Sequence, residues 1–231
     1  MLHYCALLEQ HNERTWFHEN HDMYEAARRD FTELVDLLKY RVAENAAPEL
    51  AEALLFVNAK DLLYRIPRDM RIYRNQPPYN PSWRAYLAAS RHSVYPVGYF
   101  LMIAPGNRSH FGTGAWCPDS KWLRRVRTYI SENFDQFSDA LEQCGYPLIQ
   151  DEGTKLKRVP AGFDPDDPAG EYLKYKEWYA IASFDDCELT DYDSFADRIA
   201  ATVRCMEPLR RFFDGAFSRR AQGLWDTEAE E

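Results

Sequence analysis

Apolar residues recur at helical spacing in the first part of this chain. Phe31, Leu34, Val35 and Leu38 fall at i, i+3, i+4 and i+7, with Met23 and Ala27 on the same stripe, so residues 21–40 read as an amphipathic helix. Asn12 is placed to cap an earlier turn that carries Trp16 and Phe17. Pro48, followed by Glu-Leu-Ala-Glu-Ala-Leu-Leu-Phe, predicts a short helix over 48–57. The period then changes. Leu62–Ile66, Trp83–Ala89, Gly98–Ile103 and His110–Trp116 are short, aromatic-rich and interrupted by Pro, Gly and Asn, as strands of an antiparallel sheet are. Pro105-Gly106-Asn107 is a turn between two of them.

Beyond Pro118, Asp119 or Ser120 can cap a helix running to about Gln143, where Gly145 ends it. Lys155–Val159 and Glu177–Ser183 are further strand candidates, with a short helix opened between them by Asp167-Pro168. Residues 191–214 form the last long helix, with Phe195, Ile199, Val203 and Met206 on one stripe. Helices, then strands, then helices predict a single α+β domain over 1–216, a mainly antiparallel sheet flanked by helices. Residues 217–231 read as an acidic tail without fixed structure.

The chain has 231 residues, 45% of them hydrophobic, enough for a full core. No apolar run reaches the ~18 residues of a membrane span, and no secretion signal opens the sequence. The five cysteines contain no C-x-x-C pair, so neither a disulfide framework nor a zinc knuckle is expected, and the cytoplasm is the expected compartment. Net charge is −9, which argues against nucleic acid as a partner. Its distribution modifies that reading. Residues 65–127 hold eleven Lys/Arg against two acids, or +9, while the rest of the chain carries −18. Ten of the eleven are arginines, suited to fixed bidentate contacts. Such a window either binds an anionic ligand or is neutralised by acidic helices packed on it.

Several strings together carry a resemblance. They are Asn12-x-x-x-Trp16-Phe17 with Tyr24-Glu25, Arg65-Ile-x-Arg68-Asp69-x-Arg71 with Pro78-Tyr79, and Gly98-Tyr99-Phe100-Leu101-x-Ile103-x-Pro105-Gly106. Gly112-x-Gly114-x-Trp116-x-Pro118 and Gly162-Phe163-Asp164, followed by Pro168 and Leu173-Lys174, complete the set. Over residues 5–214 the chain resembles domain-of-unknown-function family 2461, a conserved hypothetical family of bacteria and fungi. The resemblance implies a single α+β domain and transfers no reaction. Where the family carries Asp-Lys-x-Pro-Tyr-Lys, this chain reads Asn75-Gln76-Pro77-Pro78-Tyr79-Asn80, and a further lysine and histidine read Ala161 and Asp167. A function that used the lysines replaced by Gln76 and Asn80 would be altered in this member.

The candidate chemistry centres on Arg65, Arg68 and Arg71 as anion contacts, with Asp69 orienting them or acting as a general base. In an extended segment Arg65, Asp69 and Arg71 share one face, and Pro67 re-aims Arg68. Tyr79, Tyr99 and Trp116 are the expected walls of the pocket. The competing reading is an Arg–Asp network that locks the sheet without a ligand. His18, His21 and Asp22 lack the H-E-x-x-H pattern, and the cluster Asp164, Asp166, Asp167 and Glu171 lacks EF-hand spacing, so no metal and no cofactor is expected. Cys117 is either a buried structural cysteine or a thiol activated at a helix start. Two functions fit. One is recognition of an anionic small molecule, with or without catalysis. The other is a non-catalytic module that binds a protein or single-stranded nucleic acid through its basic aromatic surface.

Overall fold

The structure, a computed structural model, describes residues 1–117, 119–149 and 155–218. The expected acidic tail therefore lies, from residue 219 on, outside the described residues, as does Pro118. Five strands form one antiparallel sheet in the order β1-β2-β3-β5-β4: β1 Trp83–Leu87, β2 Tyr99–Ile103, β3 Ser109–Ala115, β4 Leu148–Ile149 and β5 Trp178–Phe184. Helices α1 Leu2–Gln10, α2 Arg14–Glu19, α3 His21–Ala43, α4 Pro48–Phe56 and α5 Ala59–Leu62 precede it. Helices α6 Ser120–Glu132, α7 Phe134–Cys144, α8 Gly170–Leu173 and α9 Tyr192–Phe217 follow β3 and complete an α+β domain.

Strand alternation decides which side of the sheet is core. Tyr99, Leu101, Phe111, Trp178, Ala180 and Phe184 are almost fully buried on the inner face. There α9 contributes Phe195 against Phe184, and α3 contributes Phe31 against Trp83. The predicted stripe of α3 is buried from Ala27 to Leu38, but Met23, one turn earlier, is exposed. Between β2 and β3 the turn is built on Gly106 and Asn107, both at positive φ.

Four local expectations are corrected. Leu62–Ile66 is no strand: α5 runs into it, and only Leu63 makes a single bridge, to Ala85. Lys155–Val159 is irregular, because β4 already occupies the edge of β5 at Ala180 and Tyr179. The expected helix over 119–143 breaks at Asn133, whose backbone N–H and side-chain amide both donate to the Tyr129 carbonyl, closing α6 before α7 begins. Asn12 caps no helix. Its amide instead brackets Tyr79, donating to the Tyr79 carbonyl and accepting from its N–H, each at 3.0 Å.

Candidate functional site

The arginine-rich segment after α5 does not extend. The Asp69 carbonyl accepts the N–H groups of Ile72 and Tyr73, so residues 69–73 curl into one turn. The Asp69 carboxylate takes the Arg71 backbone N–H at 3.0 Å and its guanidinium at 2.9 and 2.6 Å. That pairing holds Asp69 down at about 2, chiefly through the hydrogen bonds from Arg71. A carboxylate so acidic and so saturated is a poor general base, and Arg71, in turn, is committed to it. The expected shared face of Arg65, Asp69 and Arg71 is therefore not formed.

Arg68 lies nearer the sheet. Its guanidinium donates to the Pro77 carbonyl at 2.9 Å and to the Tyr79 carbonyl, pinning the two limbs of the loop together. The three expected walls are dispersed. Tyr79 is buried with its ring stacked on Phe17 at 4.2 Å, so only its backbone meets Arg68. Tyr99 is wholly buried on the inner face, stacked on Phe111 and donating to Glu207 at 2.8 Å. Trp116 is exposed just beyond β3, six residues from His110 and so roughly 20 Å along the strand. None of these rings faces the arginines.

Other residues do. On the outer face of the sheet the register aligns Arg84, Met102, His110 and Ser183 in one cross-strand row, and Tyr86, Phe100, Gly112 and Ile181 in the next. From the loop before β1, Tyr64 lies against Phe100, with ring centroids 6.1 Å apart, and Phe100 against His110 at 5.9 Å. The Arg84 guanidinium sits over the Tyr64 ring at 5.7 Å and donates to the Arg65 carbonyl at 3.0 Å. Tyr64 donates its hydroxyl to the Arg91 carbonyl, and Arg91 returns a bond to the Leu63 carbonyl. The Arg84 and Arg91 guanidinia thus lie with the Arg65 carbonyl at the β1 side of this face, with Arg68 near enough for its charge to act on Arg84.

The described partners of Arg68, Arg84 and Arg91 are mainly backbone carbonyls. Of the basic window, Arg71 pairs with Asp69 and Arg108 with Glu9. Among the described residues no carboxylate lies within 4.0 Å of Arg65, Arg68, Arg84 or Arg91. Arg84 is held below the usual guanidinium range, first by burial and then by the charge of Arg68. Its Nε is buried and makes no hydrogen bond. An anion placed there would supply the missing acceptor and the missing charge together.

Alternation within β1, Trp-Arg-Ala-Tyr-Leu, sets Arg84 and Tyr86 opposite the core-facing Trp83, Ala85 and Leu87. That signal could have singled out Arg84; the roles of Tyr64, Phe100 and His110 depend on register and could not be read locally. Burial also keeps His110 neutral, pushing its pKa below the ordinary value. The group contributes stability above about pH 6.5 that is lost as pH falls toward its lower folded value. NMR titration is expected to find His110 below about 6.5 in the free protein, and higher once an anion is bound beside it.

The remaining candidates serve local structure. Cys117 is pushed up to about 12 by burial, so its thiol is not an activated nucleophile. Asp164 and Asp167 accept backbone N–H groups two residues ahead, and Glu171 pairs with Lys155 and Lys174. No group of three or more metal-ligating side chains occurs among the described residues. Among them, too, no helix is long and apolar enough to cross a membrane.

The result is an α+β domain whose antiparallel sheet is packed by helices on its inner face, with Arg84 and Arg91 at the β1 side of the outer one. The chain belongs to the conserved hypothetical protein family DUF2461, whose profile matches residues 1–212. Neither a curated protein nor a solved structure matches it.

Proposed function

We propose that the protein binds an anionic small molecule, phosphate- or carboxylate-bearing, on the outer face of its sheet. Arg65, Arg68 and Arg84 would be the anion contacts, Arg91 a further source of positive charge, and Tyr64, Phe100 and His110 the apolar surface beside them. The observation that carries this reading is Arg84: a desolvated guanidinium with an orphaned Nε, a like-charged neighbour and, among the described residues, no carboxylate within 4.0 Å. A guanidinium in that state is stabilised by any anion that can approach it. The proposal is recognition, without an assigned reaction.

A second reading has one observation in its favour. The arginines and rings line half-exposed sheet rows rather than a closed cavity, a shape that also suits a single strand of nucleic acid.

Thermal denaturation with phosphorylated and carboxylated metabolites tests the proposal. A ligand at 100 times its dissociation constant should stabilise by ~2.7 kcal/mol, raising Tm by about 5–10 °C. Arg84→Ala is expected to abolish the shift while the variant still folds. A shift that survives Arg84→Ala would refute the site. Salt-sensitive binding of single-stranded oligonucleotides, with no response to small anions, would favour the second reading.

A further inference from the structure

A second concavity lies away from the sheet face, between α7 and α9. It is a groove of about 520 Å³, within the size range of small-molecule sites. Its polar rim is Gln136 and Gln143 on α7 with Arg204 and Arg211 on α9, and its apolar floor includes Tyr129 and Phe212. The two helices run antiparallel: Phe137 near the start of α7 meets Phe212 and Phe213 near the end of α9, and Cys144 at the end of α7 lies within electrostatic reach of Cys205. Gln136 therefore faces the Arg211 end of the groove and Gln143 the Arg204 end.

The spacing is regular. Arg204 and Arg211 are seven residues apart, which puts them on one face of α9 with ~10.5 Å between their positions along the axis. Glu207 sits between them on the same face, yet it pairs with neither. Its Oε1 accepts from the Ala47 N–H at 2.7 Å and Arg210 Nη2 at 2.8 Å, and its Oε2 accepts from Tyr99 at 2.8 Å and Arg210 Nε at 2.7 Å. The carboxylate is saturated from within the core. Arg204 makes one neutral contact, to the Asn45 side chain at 3.0 Å, and Arg211 has no ion pair or side-chain hydrogen bond among the described residues. Two exposed cations thus stand two turns apart on one face of α9 at the edge of the groove, and Glu207, the acid between them, is already occupied.

We propose that this groove binds an elongated molecule with an anionic group at each end and a flat apolar body between them. Each anionic group would take one arginine and the glutamine facing it, and the body would lie on Tyr129 and Phe212. The site is separate from the arginine cluster of the sheet and does not depend on it.

Calorimetric titration with biphenyl-4,4′-dicarboxylate tests this, with benzoate as the one-ended control. The dicarboxylate is expected to bind the wild type, and Arg204→Gln and Arg211→Gln to weaken it about tenfold each, the scale of one charge-assisted hydrogen bond. Benzoate should bind much more weakly than the dianion, and Arg29→Gln, at an exposed arginine outside both sites, should leave dianion binding unchanged. Circular dichroism establishes that the variants, altered only at exposed side chains, are folded. The proposal is overturned if the dianion fails to bind at millimolar concentration or binds Arg211→Gln as it binds wild type. It is equally overturned if benzoate matches the dianion, or if Arg84→Ala abolishes binding and so moves the probe to the sheet face.

Discussion

Gly114→Ala is expected to unfold the protein or to destabilise it by about 4 kcal/mol or more. A Cβ at this position would lie 1.8 Å from the Trp178 carbonyl oxygen and 2.9 Å from the Tyr179 Cα, both backbone atoms of β5. Real atoms cannot approach so closely, so a strand has to move. β3 cannot move freely, since it is paired to β5 over all of Ser109–Ala115 and to β2 over His110–Gly112. Shifting it would break the ladder and displace its own Phe111, which is fully buried in the core. The control is Gly145→Ala. Gly145 also has positive φ, at 68°, but an added Cβ would meet nothing within 4 Å. Only the left-handed backbone conformation opposes alanine there, a cost of about 1 kcal/mol. Urea denaturation of the two variants separates close approach from conformational preference. If Gly114→Ala is no less stable than Gly145→Ala, the packing of β3 on β5 is not as described.

Periodicity made much of this fold legible. The stripes of α3 and α9, the proline at the start of α4 and the short aromatic runs of β1, β2, β3 and β5 are local patterns, and all formed close to where the residues place them. α1 was not legible because Leu2-His-Tyr-Cys-Ala-Leu-Leu is apolar almost all round and shows no polar face to set a period. β4 has two residues and therefore no pattern at all. The candidate site was readable only as a charge. The excess of arginine over 65–127 located the region, but which arginines remain unpaired depends on side-chain geometry. Asp69 captures Arg71 two residues away, a local contact that an aspartate opening a turn could have signalled. Tyr79 and Tyr99 were drawn away from the site by Phe17 and Glu207, partners distant in sequence. The groove between α7 and α9 is likewise a product of tertiary packing, since neither helix predicts its neighbour.

Arg210→Met is expected to cost about 3–5 kcal/mol at neutral pH, although methionine fills a similar volume. Arg210 is wholly buried, and it neutralises two carboxylates on its own helix. It contacts Glu207 at 2.7 and 2.8 Å, Asp214 at 2.5 Å and the Val97 carbonyl at 2.9 Å. Asp214 in turn accepts the Val97 N–H at 2.6 Å, and Glu207 accepts Tyr99, so one guanidinium ties α9 to the start of β2. Removing it leaves two largely buried negative charges facing each other without a cation. Asp214 already lies above the usual carboxylate range, because burial outweighs the attraction of Arg210, and loss of the guanidinium raises it further. A group whose folded pKa exceeds its unfolded value takes up a proton on folding, so its contribution to stability grows as pH falls toward that unfolded value. The deficit of Arg210→Met relative to wild type should therefore be largest near pH 7 and shrink toward about pH 5. Adding Glu207→Gln and Asp214→Asn to the same variant should recover part of the loss at pH 7, because the stranded charges are gone while hydrogen-bonding atoms remain. Denaturant titrations at the two pH values decide the matter. A deficit that is the same at both would mean that Arg210 acts by packing and shape, with its charge of no consequence to the fold.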